Sequence, residues 1–259
     1  MSVTDVLVGR KRRPTTKAHK TAVKVYAVVL AVVLGIALLP IRNGPLRMAL
    51  ISGIFALWAG ALFLFWDRLT VRILCLALTV GAGSLVLLPA RAIDANSLRT
   101  QYVRSLKSYQ GTNYLWGGET RLGIDCSGLI RGGLIDAETK EGIRTQNVVL
   151  LRKAASLWWN DFSAKAISEE YQGRTRRLAE SGSLNDVDYT RLQPGDLAVT
   201  GGGQHILAYT GDKIWIEADP KAMKVVSVKA PSDDGWFVQH VTLLRWRILE
   251  PTEPNAEPR

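Results

Sequence analysis

Three side chains in this 259-residue sequence could together form a reactive thiol, its base and an orienting group: Cys126, His205 and Glu217. Cys126 follows Asp125 at the end of a glycine-containing loop and precedes a largely apolar run, Leu129 to Ile135, so we expect it at the start of a helix. Free backbone N–H groups and the positive end of the helix dipole favour a thiolate there. Such a nucleophile needs a base within hydrogen-bond reach.

His205 is the best candidate base among the three histidines. His19 lies in the basic N-terminal segment, and His240 is expected in the last strand. His205 begins a short β-branched and aromatic run just after the turn Pro194-Gly195-Asp196. From spacing alone, a structural role for this histidine stays open.

Glu217 is the candidate orienting residue. A tight turn at Gly211-Asp212 would pair the strand of His205 with the strand that carries Glu217. A carboxylate there would hold the imidazole in the right tautomer and stabilise imidazolium. Asp219 shares the strand face of Glu217 and is the alternative.

The charge is unevenly distributed along the chain. Residues 1–91 contain 12 Lys and Arg against 2 Asp and Glu, whereas residues 92–259 contain 21 of each kind. The net charge of +10 therefore lies in the first third, which argues against nucleic-acid binding by the rest. Cysteines number two, too few for a disulfide framework, and no His/Cys cluster suggests a zinc site, so we expect no metal or cofactor.

The N-terminal third predicts a multi-pass membrane anchor. A basic segment, residues 1–22, precedes three apolar stretches, Val23–Leu39, Met48–Trp66 and Ile73–Leu88, each close to the length that crosses a bilayer as a helix. Seven Lys and Arg up to Lys24 predict a cytoplasmic N-terminus. Three spans within residues 23–90 then place everything after Ala90 on the outer side of the membrane.

Residues 91–250 predict an α+β domain. Helices are expected at Ile93–Gly111, Val148–Trp159 and Ile167–Leu178, followed by a loop at Ser181–Asp188. Short strands separated by turns then predict an antiparallel sheet: Leu197–Thr200, His205–Tyr209, Lys213–Ala218, Met223–Val228 and Trp236–Ile248. Residues 251–259 are expected to be a disordered tail.

Residues 102–220 resemble the NlpC-type family of papain-like cell-wall cysteine peptidases. Four features carry the resemblance, and they are specific only jointly: Tyr114-x-Trp116-Gly117-Gly118, Asp125-Cys126-Ser127-Gly128, Leu192-x-Pro194-Gly195-Asp196-Leu197, and His205 with a polar residue at 217.

The resemblance implies a papain-like core in which the helix of the nucleophile packs against an antiparallel sheet. It also implies cleavage of amide bonds in peptidoglycan stem peptides, between D-glutamate and a diamino acid. Carried over by position, Cys126 is the nucleophile, His205 the base and Glu217 the orienting residue. In the same way, Tyr114, Asp125 and Ser127 are expected to contact substrate.

Two departures from the family pattern bear on this interpretation. The third catalytic position usually holds His, Asn or Gln, and here it is Glu217. The long interval between Cys126 and His205 implies an insertion within about residues 136–192, which could cover or extend the cleft. Two other classes of function stay open: a non-catalytic wall-binding module, and a thiol acyltransferase or amidase acting on a lipid or another amide.

Overall fold

The computed structural model describes residues 16–251, which fall into two compact units. One unit holds the described residues up to Leu38 together with Pro45–Gly83, and the other holds Leu39–Gly44 and the chain from Ser84 onward. Most of the predicted basic segment 1–22, and all of the predicted tail 251–259 except Pro251, lie outside the described residues.

The first unit consists of helices α1 (Thr16–Leu38), α2 (Gly44–Leu64) and α3 (Leu69–Val86). Within the described part of the chain, these three are long and apolar enough to cross a membrane, with mean hydropathies of 2.3, 1.8 and 1.9. At 1.5 Å per residue they reach about 27–35 Å, close to the thickness of a bilayer's hydrocarbon core. Each helix begins several residues before the apolar stretch predicted for it, because the residues that precede the stretch are also helical.

The helices of the second unit surround the predicted nucleophile. They are α4 (Ala95–Lys107), α5 (Cys126–Arg144), α6 (Val148–Trp159) and the short α7 (Ala164–Ser168). Asp94 caps α4 by accepting the N–H groups of Asn96 and Ser97. Helix α6 has the predicted bounds, and Cys126 opens α5 as expected.

Two antiparallel sheets complete the second unit. A two-stranded hairpin, β1 (Glu119–Thr120) and β2 (Gly123–Ile124), directly precedes α5. The larger sheet within residues 16–251 has the order β3-β8-β4-β5-β6-β7 and antiparallel neighbours throughout. Its strands are β3 (Thr175–Ser181), β4 (Leu197–Thr200), β5 (His205–Gly211), β6 (Ile214–Asp219), β7 (Lys224–Lys229) and β8 (Val241–Trp246). The expected α+β class is confirmed.

The hydrophobic core fixes the nucleophile helix on the sheet. Helix α5 packs against β5 and β6, and α4 and α6 pack against α5. Buried Leu129 and Ile130 of α5 belong to the same cluster as Ile206 and Ile216 of the sheet. Burial of such aliphatic side chains, at about 1.5–3 kcal/mol each, is what holds the two layers together.

Two predicted elements are wrong. The helix expected over Ile167–Leu178 ends with α7, and a 3₁₀ turn at Tyr171–Gly173 leads into β3. Glu170 and Gln172 have positive φ angles that break a helix, and pairing of β3 with β8 overrides local propensity. The strand expected over Trp236–Ile248 is limited to β8, so His240 precedes the strand.

Candidate active site

Cys126 is the first residue of α5 and is only 8% exposed. The preceding Asp125 is the N-cap: its Oδ1 accepts the Gly128 N–H at 2.6 Å and the Ser127 hydroxyl at 3.0 Å. The first N–H groups of a helix have no intrahelical acceptor, so the N–H of Cys126 is available to a substrate carbonyl. The helix start therefore offers a thiol and a hydrogen-bond donor in one place.

The glycines of the nucleophile region allow the hairpin to touch the helix start. A Cβ on Gly128 would lie 2.3 Å from the Gly118 carbonyl oxygen, closer than real Cβ atoms approach. The Asp125 N–H donates to that same Gly118 carbonyl, and Asp125 Oδ2 accepts the Gly117 N–H at 2.8 Å. These contacts lock the loop before Cys126 onto the first turn of α5.

His205 and Glu217 form a buried pair. Nε2 of His205 lies 2.5 Å from Oε2 of Glu217, and the two residues are 1% and 0% exposed. Asp219, the alternative orienting residue, instead accepts the N–H groups of Lys221 and Ala222 and so closes the turn after β6. Glu217 is therefore the carboxylate in contact with the histidine.

Electrostatics at the pair favour a charged imidazole. Burial lowers the pKa of His205, but the neighbouring Cys126 and the hydrogen-bonded Glu217 raise it to about 9. Burial raises the pKa of Glu217, although its hydrogen bond to His205 opposes that rise. Since Nε2 faces Glu217, Nδ1 is the ring nitrogen left for the thiol of Cys126. The arrangement suits a thiolate–imidazolium pair.

A cleft of about 390 Å³ opens onto Cys126. One wall comes from Trp116, whose side chain is 78% exposed, and another from residues 161–164 of the predicted insertion. Gly203 and Gln204, just before β5, close a third side. Residues in the region of the predicted insertion therefore line the cleft beside the thiol.

Of the three residues expected to contact substrate, Asp125 and Ser127 line the cleft. The Asp125 carboxylate is already used by groups of the chain itself, as described above. Tyr114 is half-buried, and burial together with the charges of Cys126, Asp125 and Asp219 raises its pKa to about 12. Its hydroxyl therefore stays a hydrogen-bond donor at neutral pH. Substrate contact by all three residues stays a prediction.

The sequence interpretation missed two arginines that position the site, the buried Arg131 and the partly buried Arg245. Arg245 of β8 forms a two-pronged ion pair with Asp196, at 2.6 and 2.7 Å, and so fixes the Pro-Gly-Asp turn that bonds to β5. Arg131 of α5 contacts Glu119 at 2.7 Å and Asp161 at 3.4 Å, which connects the hairpin to the segment after α6. Their only sequence signal is a charge within an apolar segment.

Comparison with known proteins decides the family. The model of the NlpC/P60 family matches residues 111–245, more than half of the chain. The chain belongs to the NlpC/P60 family. The resemblance stated from the motifs is thus confirmed, and so is the expected enzyme class at the level of the family, whose members are cysteine peptidases and cell-wall hydrolases.

The sequence identity between this chain and individual known proteins is low. Dipeptidyl-peptidase 6 of Lysinibacillus sphaericus is 26% identical over 125 residues, which make up 48% of this chain and 34% of that protein. The chain thus matches about a third of the length of this relative.

Two solved structures have similarly low sequence identity to this chain. The P60 domain of an antigen from M. avium subspecies paratuberculosis is 19% identical and has a TM-score of 0.38, with coverage of 61% of this chain and 100% of that one. The peptidoglycan hydrolase RipB from Mycobacterium tuberculosis is 23% identical with a TM-score of 0.38, covering 61% and 67%.

Proposed function

We propose that this NlpC/P60 protein is a membrane-anchored cysteine endopeptidase that hydrolyses an amide bond in peptidoglycan stem peptides. The observation that carries the proposal is the buried His205–Glu217 pair beside the helix-start thiol of Cys126. A histidine held by a carboxylate next to a cysteine is the arrangement that activates a thiol for acyl transfer.

The first half of the reaction is acylation. Nδ1 of His205 takes the thiol proton, and Sγ of Cys126 attacks the carbonyl carbon of the scissile amide. The backbone N–H of Cys126 and the hydroxyl of Tyr114 are the donors proposed for the oxyanion. As the C–N bond breaks, imidazolium gives its proton to the leaving amine, and the acyl group stays on sulfur as a thioester.

Deacylation reverses the roles. A water molecule gives a proton to His205 while its oxygen attacks the thioester carbon. The C–S bond breaks, the thiol is regenerated, and a carboxylic acid leaves. Glu217 keeps the imidazole in one orientation and stabilises its charged form in both halves.

The charges of the cleft support a bond next to a diamino acid. Asp161 lines the cleft with 60% of its side chain exposed, and Arg131 contacts it at 3.4 Å, so this wall presents a carboxylate to the substrate. A free amine on the substrate would complement it. This favours the D-glutamyl–diamino acid bond as the substrate.

Cleavage of defined peptidoglycan fragments by the full chain in detergent micelles tests the proposal. Mass spectrometry should find one new amine and one new carboxyl end with the wild type and none with Cys126→Ser. Tight retention of fragments without cleavage would instead indicate a wall-binding module. Acyl transfer confined to lipid substrates would indicate an acyltransferase.

We further propose that the three apolar helices anchor the protein, with the peptidase unit outside the cytoplasm. Pro40 and Ile41, between α1 and α2, belong to the same compact unit as the peptidase residues. The Glu119 N–H donates to the Pro40 carbonyl, and Ile41 bridges Gly118. These contacts support a topology in which the first loop lies on the same side of the bilayer as Cys126, as three spans require.

A labelling experiment in intact cells tests this topology. In a background of Cys75→Ser and Cys126→Ser, a membrane-impermeant maleimide should label Lys229→Cys and leave Asp67→Cys, in the loop between α2 and α3, unlabelled. The opposite pattern would place the peptidase unit in the cytoplasm and contradict the proposal.

A further inference from the structure

A second cavity, of about 490 Å³, is larger than the catalytic cleft. It lies between α5, α6 and the segment Gln172–Arg174, and the buried side chains of Leu157 and Trp246 form its apolar base. Among the described residues, the two cavities share no lining residue. Nothing in the proposed reaction uses this second cavity.

The lining of the cavity is strongly basic. Four cations contribute to it: Arg152, Lys153, Arg174 and Arg247. Within residues 16–251, Arg152 and Lys153 make no ion pair, and Glu138 is the single carboxyl group of the lining. The cavity therefore has an excess of positive charge that the described part of the chain does not neutralise.

Glu138 places a buried carboxyl group in the lining of this cavity. The residue is only 1% exposed, and its Oε2 has no hydrogen bond within the described residues. Burial raises the pKa of Glu138 to about 8, although Lys153 and Arg174 lower it. The carboxyl group is then largely protonated at neutral pH. A buried polar atom of this kind is stabilised when a ligand or water completes its hydrogen bonds.

We propose that this cavity is a second binding site for a small anion whose oxyanion lies next to a hydroxyl or amide group. Arg152, Lys153 and Arg174 would hold the oxyanion, since guanidinium groups bind carboxylate and phosphate oxygens through paired hydrogen bonds. The neighbouring hydroxyl or amide would pair with the carboxyl group of Glu138. The apolar part of such a ligand would lie against Leu157 and Trp246.

A phosphate monoester and a peptide carboxylate share this chemistry, and titration calorimetry of the full chain in micelles distinguishes them. The two probes are glycerol 3-phosphate and N-acetyl-D-alanyl-D-alanine. At least one should bind saturably with one site per chain, and the tighter probe identifies the source of the oxyanion. Failure of both to bind would overturn the proposal.

Charge-reversal variants locate the binding. Lys153→Glu should lower the affinity for the probe by roughly tenfold, because the variant replaces an attractive charge at the site by a repulsive one. Lys229→Glu makes the same change on exposed β7, away from the cavity, and should alter affinity by less than about twofold because solvent and salt screen it. Equal losses in both variants would mean non-specific attraction and would overturn the site.

Glu138→Gln gives an independent readout. In the wild type, affinity for the anion should fall as pH rises through about 8, because ionised Glu138 repels the ligand while Lys153, Arg152, Arg174 and Arg247 keep their charge. In the variant this fall should disappear, with affinity at pH 6.5 within about threefold of the wild type. An unchanged pH dependence would exclude Glu138 from the binding site and contradict the proposal.

Discussion

The imidazole of His205 lies face to face with the indole of Trp236, with ring centroids 4.3 Å apart and an angle of 17° between the planes. The indole covers one face of the ring whose Nε2 contacts Glu217. A π face next to an imidazolium stabilises its charge, and a ring in this position keeps water from the His205–Glu217 hydrogen bond. Trp236 is thus a positioning residue of the proposed site.

Trp236→Ala should lower kcat/KM by roughly two- to tenfold, the equivalent of the 0.5–1.5 kcal/mol typical of one aromatic pair. Trp236→Ala should also move the alkaline limb of the pH profile to lower pH. Trp236→Phe should keep most of the wild-type kcat/KM and a nearly wild-type pH profile. Trp159→Ala, at the exposed end of α6, is the matched control. A Trp236→Ala variant with a wild-type pH profile would mean that the stacking serves folding alone.

Glu217→Ala should lower kcat/KM far less than His205→Ala. Loss of a charged hydrogen bond of about 1.5–3 kcal/mol corresponds to roughly a ten- to hundredfold loss of rate. Removal of the base itself costs about 10²–10⁴-fold. Steady-state kinetics on a purified stem peptide compare the variants, with Asp219→Asn as the control for the neighbouring carboxylate. Equal losses for Glu217→Ala and His205→Ala would show that Glu217 does more than orient the ring.

The pH profile should report the charge of His205. Its pKa is raised to about 9, so imidazolium, the form that protonates the leaving amine, is present below that pH and lost above it. The activity of the wild type should therefore decline as pH rises through about 9. Glu217→Gln removes one of the groups that raise this pKa, and its decline should begin at lower pH. A shift toward higher pH would contradict the proposed arrangement.

Gly128→Ala should abolish most activity without unfolding the protein. The new Cβ would lie 2.3 Å from the Gly118 carbonyl oxygen, so the hairpin must move away from the first turn of α5. Gly132→Ala is the control on the same helix, since its Cβ would lie 3.3 Å from the Tyr109 hydroxyl. Circular dichroism and peptidase assays separate the two effects. Full activity of Gly128→Ala would show that this close contact is dispensable.

Local patterns predicted the elements that carry the proposed site. The cap and helix start at Cys126, the helix Val148–Trp159 and the strand Leu197–Thr200 depend on residues close together in sequence, and the structure has them where they were expected. The short turn between β5 and β6 indicated that the strands of His205 and Glu217 pair, but the spacing alone left Asp219 open as the partner of the histidine.

Long-range contacts explain the predictions that were wrong or missing. Strand β3 depends on β8, about 65 residues later, so residues 167–178 had a helical pattern and formed a strand instead. Likewise, the spacing of Trp236 from His205 carries no period that would predict stacking. The partners of Arg131 and Arg245 come from other elements, and no local signal indicates which charges will be paired after folding.

The contact of Pro40 and Ile41 with the β1 hairpin bears on how such a protein can be rearranged in evolution or by engineering. A fragment that starts after α3 would lose the carbonyl that accepts the Glu119 N–H and the residue that bridges Gly118, two residues of the hairpin that abuts the helix start of Cys126. Exchange of the three apolar helices for an unrelated membrane segment would have the same effect unless the Leu39–Gly44 segment were carried along. The peptidase domain is therefore not formed by one continuous segment: part of its framework lies between the first two apolar helices.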